Sequence, residues 1–254
     1  MKALEGRVAL VTGSGRGVGL GIAKELAEAG AAIVVNDLHA ERAEAGAAEV
    51  RALGARAAAV AFDITDLNAV RQGVARAVAE LGPVDILVNN AGLPDSGFEM
   101  GSFRESDPSV WHLWIDLNMY GSLNMIWAVL GSMVDRKWGR IIQISSGVGS
   151  RGILGGNSIY GGSKAGIEGA LRHIAIEEAR NGVSVNSIAP GLMENAAYRQ
   201  DPNDTRPGTL GAVPMGKLCD PRWVGACAVW LCSEKGGFVT GQTIHVNGGT
   251  IHGR

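Results

Sequence analysis

Tyr160 and Lys164 stand four residues apart in the stretch NSIYGGSK. On a helix this spacing puts both side chains on one face, with Cβ atoms about 5–6 Å apart. A phenol beside an ammonium is a pair suited to moving a proton. Tyrosine titrates near 10, so acting as a base near pH 7–8 asks for a drop of about 2–3 pH units, roughly 3–4 kcal/mol. A lysine ammonium and a second positive group, both partly desolvated, favour the phenolate on that scale. The alternative is a solvated pair on an exposed helix face. Gly161 and Gly162 follow the tyrosine, and each costs a helix interior about 0.8–1 kcal/mol relative to alanine. With Ser163 they predict a first turn kept small so that a bound group can approach it.

These residues need a scaffold, and the apolar pattern supplies one. Short runs rich in β-branched residues recur at Val8 to Val11, Ala32 to Asn36, Ala57 to Phe62, Ile86 to Asn89, Ile141 to Ile144, Val183 to Ile188 and Thr243 to Val246. Continuous rather than alternating apolar runs predict strands buried on both faces, hence a mostly parallel sheet. Between the first two runs, Val18, Ile22, Leu26 and Ala29 form a helical stripe opposite Lys24, Glu25 and Glu28. Alternation of strand and helix predicts an α/β fold: a single doubly wound domain over residues 1–254, with a seven-stranded sheet and helices on both faces. No shift in composition divides the chain. One long irregular stretch, residues 191–217, carries Pro202, Pro207 and Pro214 and follows the sixth strand. Open α/β sheets bind ligands on that side, so the stretch is expected to be a substrate lid.

Thr12 to Gly19 reads TGSGRGVG, directly after the first strand and before the first helix. The spacing GxGxxG does not fit it, whereas TGxxxGxG does, on Gly13, Gly17 and Gly19. Glycines there let the backbone turn tightly and approach a pyrophosphate at the helix N-terminus, where amides and dipole favour an anion. Between a strand and an amphipathic helix, the loop predicts a nucleotide site rather than an ordinary turn. Asp37 ends the second strand about 20 residues further on, where an acid accepts hydrogen bonds from an adenosine ribose. A phosphate on that ribose would meet a repulsion of about 4 kcal/mol per charge pair at about 4 Å and an effective dielectric near 20. Arg16 offsets part of this. NAD is therefore the expected cofactor, with NADP disfavoured but not excluded. A solvated carboxylate at a strand end is the alternative reading of Asp37.

The totals argue against other classes. With 23 basic and 25 acidic side chains the net charge is −2, which offers no footprint for nucleic acid or an anionic membrane. Glu5 and Arg7 interrupt what would be a secretory signal, and no apolar run reaches the roughly 18 residues of a membrane span. The 5 histidines show neither HxxxH nor HExxH spacing, so no metal site is expected. Cys219, Cys227 and Cys232 are odd in number without CxxC spacing. Free buried thiols in a reducing cytoplasm are the expectation.

TGSGRGVG, Asp63 in FDITD, NNAG at Asn89 to Gly92, Asn118 in DLNMYG, ISSGVG from Ile144, YGGSK and PGLMEN occur in order. Together they resemble the short-chain dehydrogenase/reductase family, from about residue 5 to FVTGQTIHVNGG near the C-terminus. The resemblance implies a Rossmann-type fold and an NAD-dependent oxidoreductase interconverting a secondary alcohol and a ketone. In it Tyr160 transfers the proton, and Lys164 also holds the nicotinamide ribose. Ser146, rather than Ser145, bonds the substrate oxygen, and Asn118 helps hold a water that relays protons through the lysine. Cofactor contacts are implied for Gly13, Arg16, Gly17, Val18 and Gly19 at the phosphates and for Asp37 at the ribose. Asp63 and Ile64 are implied at the adenine, and Asn90, Ala91 and Gly92 along the cofactor. Pro190, Gly191, Met193 and Asn195 are implied at the carboxamide, Asn195 replacing the family's usual threonine.

Two further expectations concern the surroundings. Leu93 to Trp111 is longer than is common and places Phe98, Met100, Phe103 and Trp111 near the cleft mouth, an apolar rim that favours sugar-like polyols least. Trp114 and Trp127, on the helix that follows, read as packing or subunit-contact residues. Family members often form tetramers through this helix and the one bearing Tyr160, which implies a homotetramer, or a homodimer. A rival enzyme is an NADPH-dependent 3-oxoacyl thioester reductase, against which Asp37 stands. A rival of another class is a non-catalytic NAD-binding regulator, against which the presence of Asn118, Ser146, Tyr160 and Lys164 stands.

Overall fold

The computed structural model describes residues 2–95, 102–153, 157–194 and 209–251. The apolar runs form β1 (Val8–Val11), β2 (Ala32–Asp37), β3 (Ala57–Ala61), β4 (Ile86–Asn89), β5 (Gly139–Ile144), β6 (Val183–Pro190) and β7 (Thr243–Val246). They make one seven-stranded sheet in the order β3-β2-β1-β4-β5-β6-β7, and every neighbouring pair is parallel. β5 starts before its apolar run and β6 continues past its own. Gly139 and Arg140 pair with Val183 and Ser184, and Pro190 pairs with Val246. Ladder hydrogen bonds, not side-chain polarity, set these ends.

Helices cover both faces. On one, Ile22 and Leu26 of α1 (Gly17–Glu28), Val50 of α2 (Ala40–Ala52) and Val224 and Leu231 of the late helix Pro221–Cys232 share a core with Ile33, Val35 and Val88. On the other, Val70 of α3 (Leu67–Leu81), Met125 of α5 (Gly121–Asp135) and Leu171 of α7 (Ser158–Glu178) pack with Leu10, Val34 and Val185. Burying each large aliphatic side chain contributes about 1.5–3 kcal/mol. Two short helices complete the set in chain order, α4 (Trp111–Ile115) and α6 (Gly147–Ser150), which makes Pro221–Cys232 α8. Among the described residues no helix is long and apolar enough to cross a membrane.

Strand order reverses between β1 and β4, which opens a crevice at the C-terminal ends of the strands. The helix starts differ there in a telling way. Asp66 caps α3 by accepting from the amides of Asn68 and Ala69 at 2.8 and 3.2 Å, and Asp220 caps α8 in the same manner. α1 is preceded by Arg16, which makes no side-chain cap, and its first turn holds no acid. Its leading amides are left for an anion.

Candidate active site

The glycine loop is stitched to the turn after β4. Thr12 Oγ1 accepts from the amides of Asn90 and Ala91 at 3.0 and 3.1 Å, and Asn90 Nδ2 donates to the carbonyls of Thr12 and Gly13 at 2.9 and 3.0 Å. Gly13 and Gly17 both have φ +59°, a region that disfavours other residues. A Cβ at Gly19 would lie 2.5 Å from Asn90 Nδ2, whereas one at Gly17 would meet nothing within 4 Å. Gly19 is thus required by packing, and Gly17 by backbone conformation at the mouth of the helix. Val18 is half-buried beside them. This cradle fits a dinucleotide pyrophosphate.

Asp37 is buried at the end of β2, where it accepts from the His39 amide at 3.2 Å. A cluster invisible to sequence reasoning adjoins it. Arg42 Nη1 lies 4.0 Å from Asp37 and 3.2 Å from Asp95, Arg16 Nη2 lies 4.0 Å from Asp95, and His39 Nε2 bonds Asp95 as well. These contacts hold the Asp95 carboxyl below its usual range, the His39 bond contributing most and Arg42 next. No spacing signals a pair such as Arg42 and Asp95, which only the fold brings together.

Asn118 and Lys164 converge beside Gly92, with Tyr160 next to Lys164. Asn118 sits in a π-helical turn, Asp116–Tyr120, between α4 and α5, and such turns occur often at functional sites. Its Nδ2 donates to the carbonyls of Gly92 and Trp114 at 3.1 and 3.0 Å. Its fully buried Oδ1 accepts from no donor among the described residues. A Cβ at Gly92 would lie 2.7 Å from that Oδ1 and 2.8 Å from Lys164 Nζ, so the two polar atoms flank one point. Lys164 is 2% exposed and donates to the Ile144 carbonyl at 2.8 Å. Burial pushes its ammonium down from 10.5 to about 8, against the opposing pull of the Glu168 carboxylate. Its Nζ lies 5.7 Å from the centre of the half-buried Tyr160 ring.

The two serines after β5 have separate partners. Ser145 is buried and donates to Glu168. Ser146 is half-buried at the start of α6, its Oγ accepting from the Val148 amide at 3.4 Å. Trp114 is a packing residue, but what it packs against is the Tyr160 ring, 5.2 Å away between centroids. Trp127 is exposed and carries Arg71 over its ring at 4.7 Å. At the rim, Phe103 stacks on Trp111 at 5.3 Å; Phe98 and Met100 lie outside the described residues.

The explanation of Gly161 by a bound group needs correcting. A Cβ at Gly161 would lie 2.8 Å from the Val148 carbonyl, so this glycine admits α6, and a Cβ at exposed Gly162 would meet nothing within 4 Å. Ser163 Oγ donates to the Tyr160 carbonyl at 2.8 Å. Gly161→Ala is therefore expected to lower the melting temperature by several degrees. Gly162→Ala is expected to raise it by about 1–4 °C, from helix propensity alone. Thermal unfolding followed by circular dichroism separates the two.

The remaining sites are more dispersed. Asp63 Oδ1 accepts from the amide and hydroxyl of Thr65, both at 2.8 Å, and the Ile64 side chain is buried against Gly121 in the core. Ile64 can meet an adenine only through its backbone. Pro190 ends β6, Gly191 donates to the Val246 carbonyl at 2.9 Å, and Met193 bridges to Cys219 in parallel. Asn195 lies outside the described residues. The cysteines are free, with burial raising the Cys227 thiol to about 11 and Cys232 to about 12. No cluster of metal-binding side chains occurs among the described residues.

Fold and site are those of a Rossmann-type nucleotide-binding oxidoreductase. Residues 7–206 match the family model described as short chain dehydrogenase, and the chain belongs to that family. A curated relative from Thauera aromatica, the (2S)-((R)-hydroxy(phenyl)methyl)succinyl-CoA dehydrogenase subunit BbsD, is 38% identical over 97% of each chain. The 3-oxoacyl-(acyl-carrier-protein) reductase FabG of Vibrio harveyi is also 38% identical, over 97% of this chain and 98% of its own. Among solved structures, a gluconate 5-dehydrogenase from Burkholderia cenocepacia in complex with NADP and tartrate superposes with a TM-score of 0.87. It is 35% identical, over 97% of this chain and 96% of its own. The protein is accordingly an oxidoreductase that uses a nicotinamide dinucleotide, NAD or NADP.

Proposed function

We propose that this protein interconverts a secondary alcohol and a ketone, with Tyr160 as acid/base and NAD as the preferred cofactor. The observation that carries this reading is the buried Lys164 ammonium beside the Tyr160 ring, with the Asn118 Oδ1 facing the same point. When bound, the nicotinamide supplies the redox chemistry by accepting or giving a hydride at C4. The α1 amides and the glycine loop hold the pyrophosphate, Asp37 the ribose, and Lys164 the nicotinamide ribose. Gly191 and Met193 border the carboxamide. Ser146 donates to the substrate oxygen and Tyr160 takes or returns the carbinol proton. Lys164 stabilises the phenolate, and Asn118 Oδ1 accepts from a relay water on the path to solvent.

NAD preference rests on the buried Asp37 carboxylate, opposed by the guanidinium cations of Arg16 and Arg42. Asp95 pairs with both of them. Asp95→Asn should therefore raise the NADP-to-NAD ratio of kcat/KM about fivefold, the ~1 kcal/mol scale of exposed charge contacts. An unchanged ratio would remove Asp95 from cofactor choice. The second reading, an NADPH-dependent 3-oxoacyl thioester reductase, is favoured by the Arg16 and Arg42 guanidiniums and by the name of the Vibrio harveyi relative.

We read residues 1–254 as one domain with residues 191–217 as a lid, of which 195–208 lie outside the described residues; Met193 near its start bridges to Cys219 just beyond its end. Beside them lies a cavity of about 360 Å³ lined by Leu192, Met215, Trp223 and His245. The exposed Tyr120, Trp127 and Ile176 on α5 and its neighbours support a homotetramer or homodimer, and the free thiols support a cytoplasmic location. The test is reduction of NAD and NADP over a panel of cyclic, steroid, polyol and 3-hydroxyacyl thioester alcohols. NADH formation on a simple secondary alcohol supports the first reading. Activity confined to the thioester with NADP supports the second.

A further inference from the structure

The geometry points to Glu168 as a positioning residue for the proposed reaction, one that anchors the end of β5 through Ser145 and keeps the Lys164 side chain cationic. This inference rests on the proposed role of Lys164. Glu168 lies one turn beyond Lys164 on α7, which places the two side chains on the same helix face. It is a carboxyl group 7% exposed, among the buried polar residues of the chain. A carboxylate so placed needs donors, and Ser145 supplies one. Consecutive turns of α7 thus grip consecutive residues of the β5 terminus: Lys164 holds the Ile144 carbonyl and Glu168 holds the Ser145 hydroxyl. Ser146 comes next in the chain. Gly149 of α6 closes over both side chains, since a Cβ there would lie 3.1 Å from Lys164 Cβ and 3.4 Å from Glu168 Oε1.

The charges around Lys164 make the second half of the inference specific. The groups that meet it from β5, from the turn after β4 and from the π-helical turn are the Ile144 carbonyl, Gly92 and Asn118, all uncharged. α6 contributes Gly149. On α7 itself stand Tyr160, Glu168 and, a turn further, Arg172, which lines the same small crevice as Glu168. Glu168 is therefore the anion among these groups. Its attraction raises the proton affinity that burial lowers at Lys164. Without it, a larger share of Lys164 would be neutral near pH 8, and a neutral amine cannot stabilise a phenolate.

Four proteins test this, and the titration itself is made without cofactor. Lys164 is titrated by NMR of 13C-labelled lysine, its signal assigned by loss in Lys164→Met. Glu168→Gln removes the charge but keeps an oxygen that accepts from Ser145. Ser145→Ala removes the hydroxyl and keeps the charge. The expected result is a midpoint near 8 in the wild type, lowered by about one pH unit in Glu168→Gln and little changed in Ser145→Ala. The alkaline limb of the activity profile should move with the NMR midpoint in Glu168→Gln. A midpoint unmoved in Glu168→Gln, or moved equally in both variants, would overturn the inference. Because the titration needs no turnover, such a failure is distinct from a failure to oxidise any alcohol, which would overturn the proposed function instead.

Discussion

Tyr160→Phe is expected to lower kcat by about 10²–10⁴-fold, the usual contribution of a positioned acid/base, while cofactor affinity stays within about twofold. Phenylalanine retains the ring that packs on Trp114 and loses only the hydroxyl. Helix α7 keeps its other holds on the sheet, the Lys164 bond to Ile144 and the Glu168 bond to Ser145. Steady-state kinetics together with calorimetric titration of NAD separate the effects. A variant with turnover near that of the wild type would remove Tyr160 from the chemistry.

Lys164→Met is expected to abolish turnover to at least the same degree and yet to stabilise the fold. The lysine is fully buried and its folded pKa is lowered from 10.5 to about 8. At ~1.36 kcal/mol per pH unit, that drop represents about 3 kcal/mol of strain on the protonated side chain. Between pH 8 and 10.5 the unfolded chain binds more protons than the folded one, so wild-type stability from this group rises with pH across that window. Below pH 8 the full cost is present. Methionine fills similar space without charge, though it forfeits the hydrogen bond to Ile144, worth about 1 kcal/mol. The net gain near pH 7 should be about 1–3 kcal/mol, a rise of several degrees in melting temperature, shrinking towards pH 10.5. A melting temperature lowered at pH 7 would contradict the cost assigned to this buried ammonium. Stability given up at a working residue is a common trade in enzymes.

Residue patterns with local causes were readable from the sequence. Continuous apolar runs such as those of β1 and β4 show strands buried on both faces, because a parallel sheet covered by helices exposes neither side. The i, i+4 pair on α7 and the glycines of the loop before α1 were legible for the same reason. Contacts made across the fold were not. Asp95 reaches Arg42, 53 residues away, over the crevice, and Trp114 of α4 meets Tyr160 of α7 only where the fold brings the two helices together. Glu168 carried a signal at i+4 from Lys164, but a glutamate on a helix reads as solvent-facing until its partner Ser145 is placed. Gly161 was misread for a related reason: a small residue announces a close neighbour without saying which, and here the neighbour is the Val148 carbonyl.

Hydride exchange between a carbinol carbon and the nicotinamide is most directly read with deuterium. The alcohol giving the highest activity in the panel is labelled at its carbinol carbon and incubated with the wild type and with Tyr160→Phe. The expected result is deuterium at C4 of the reduced nicotinamide, on a single face, formed by the wild type at least about 100-fold faster than by the variant. Label appearing at equal rates in both proteins, or no transfer from any alcohol to NAD or NADP, would contradict the assignment of Tyr160 and Lys164 as the centre of this reaction.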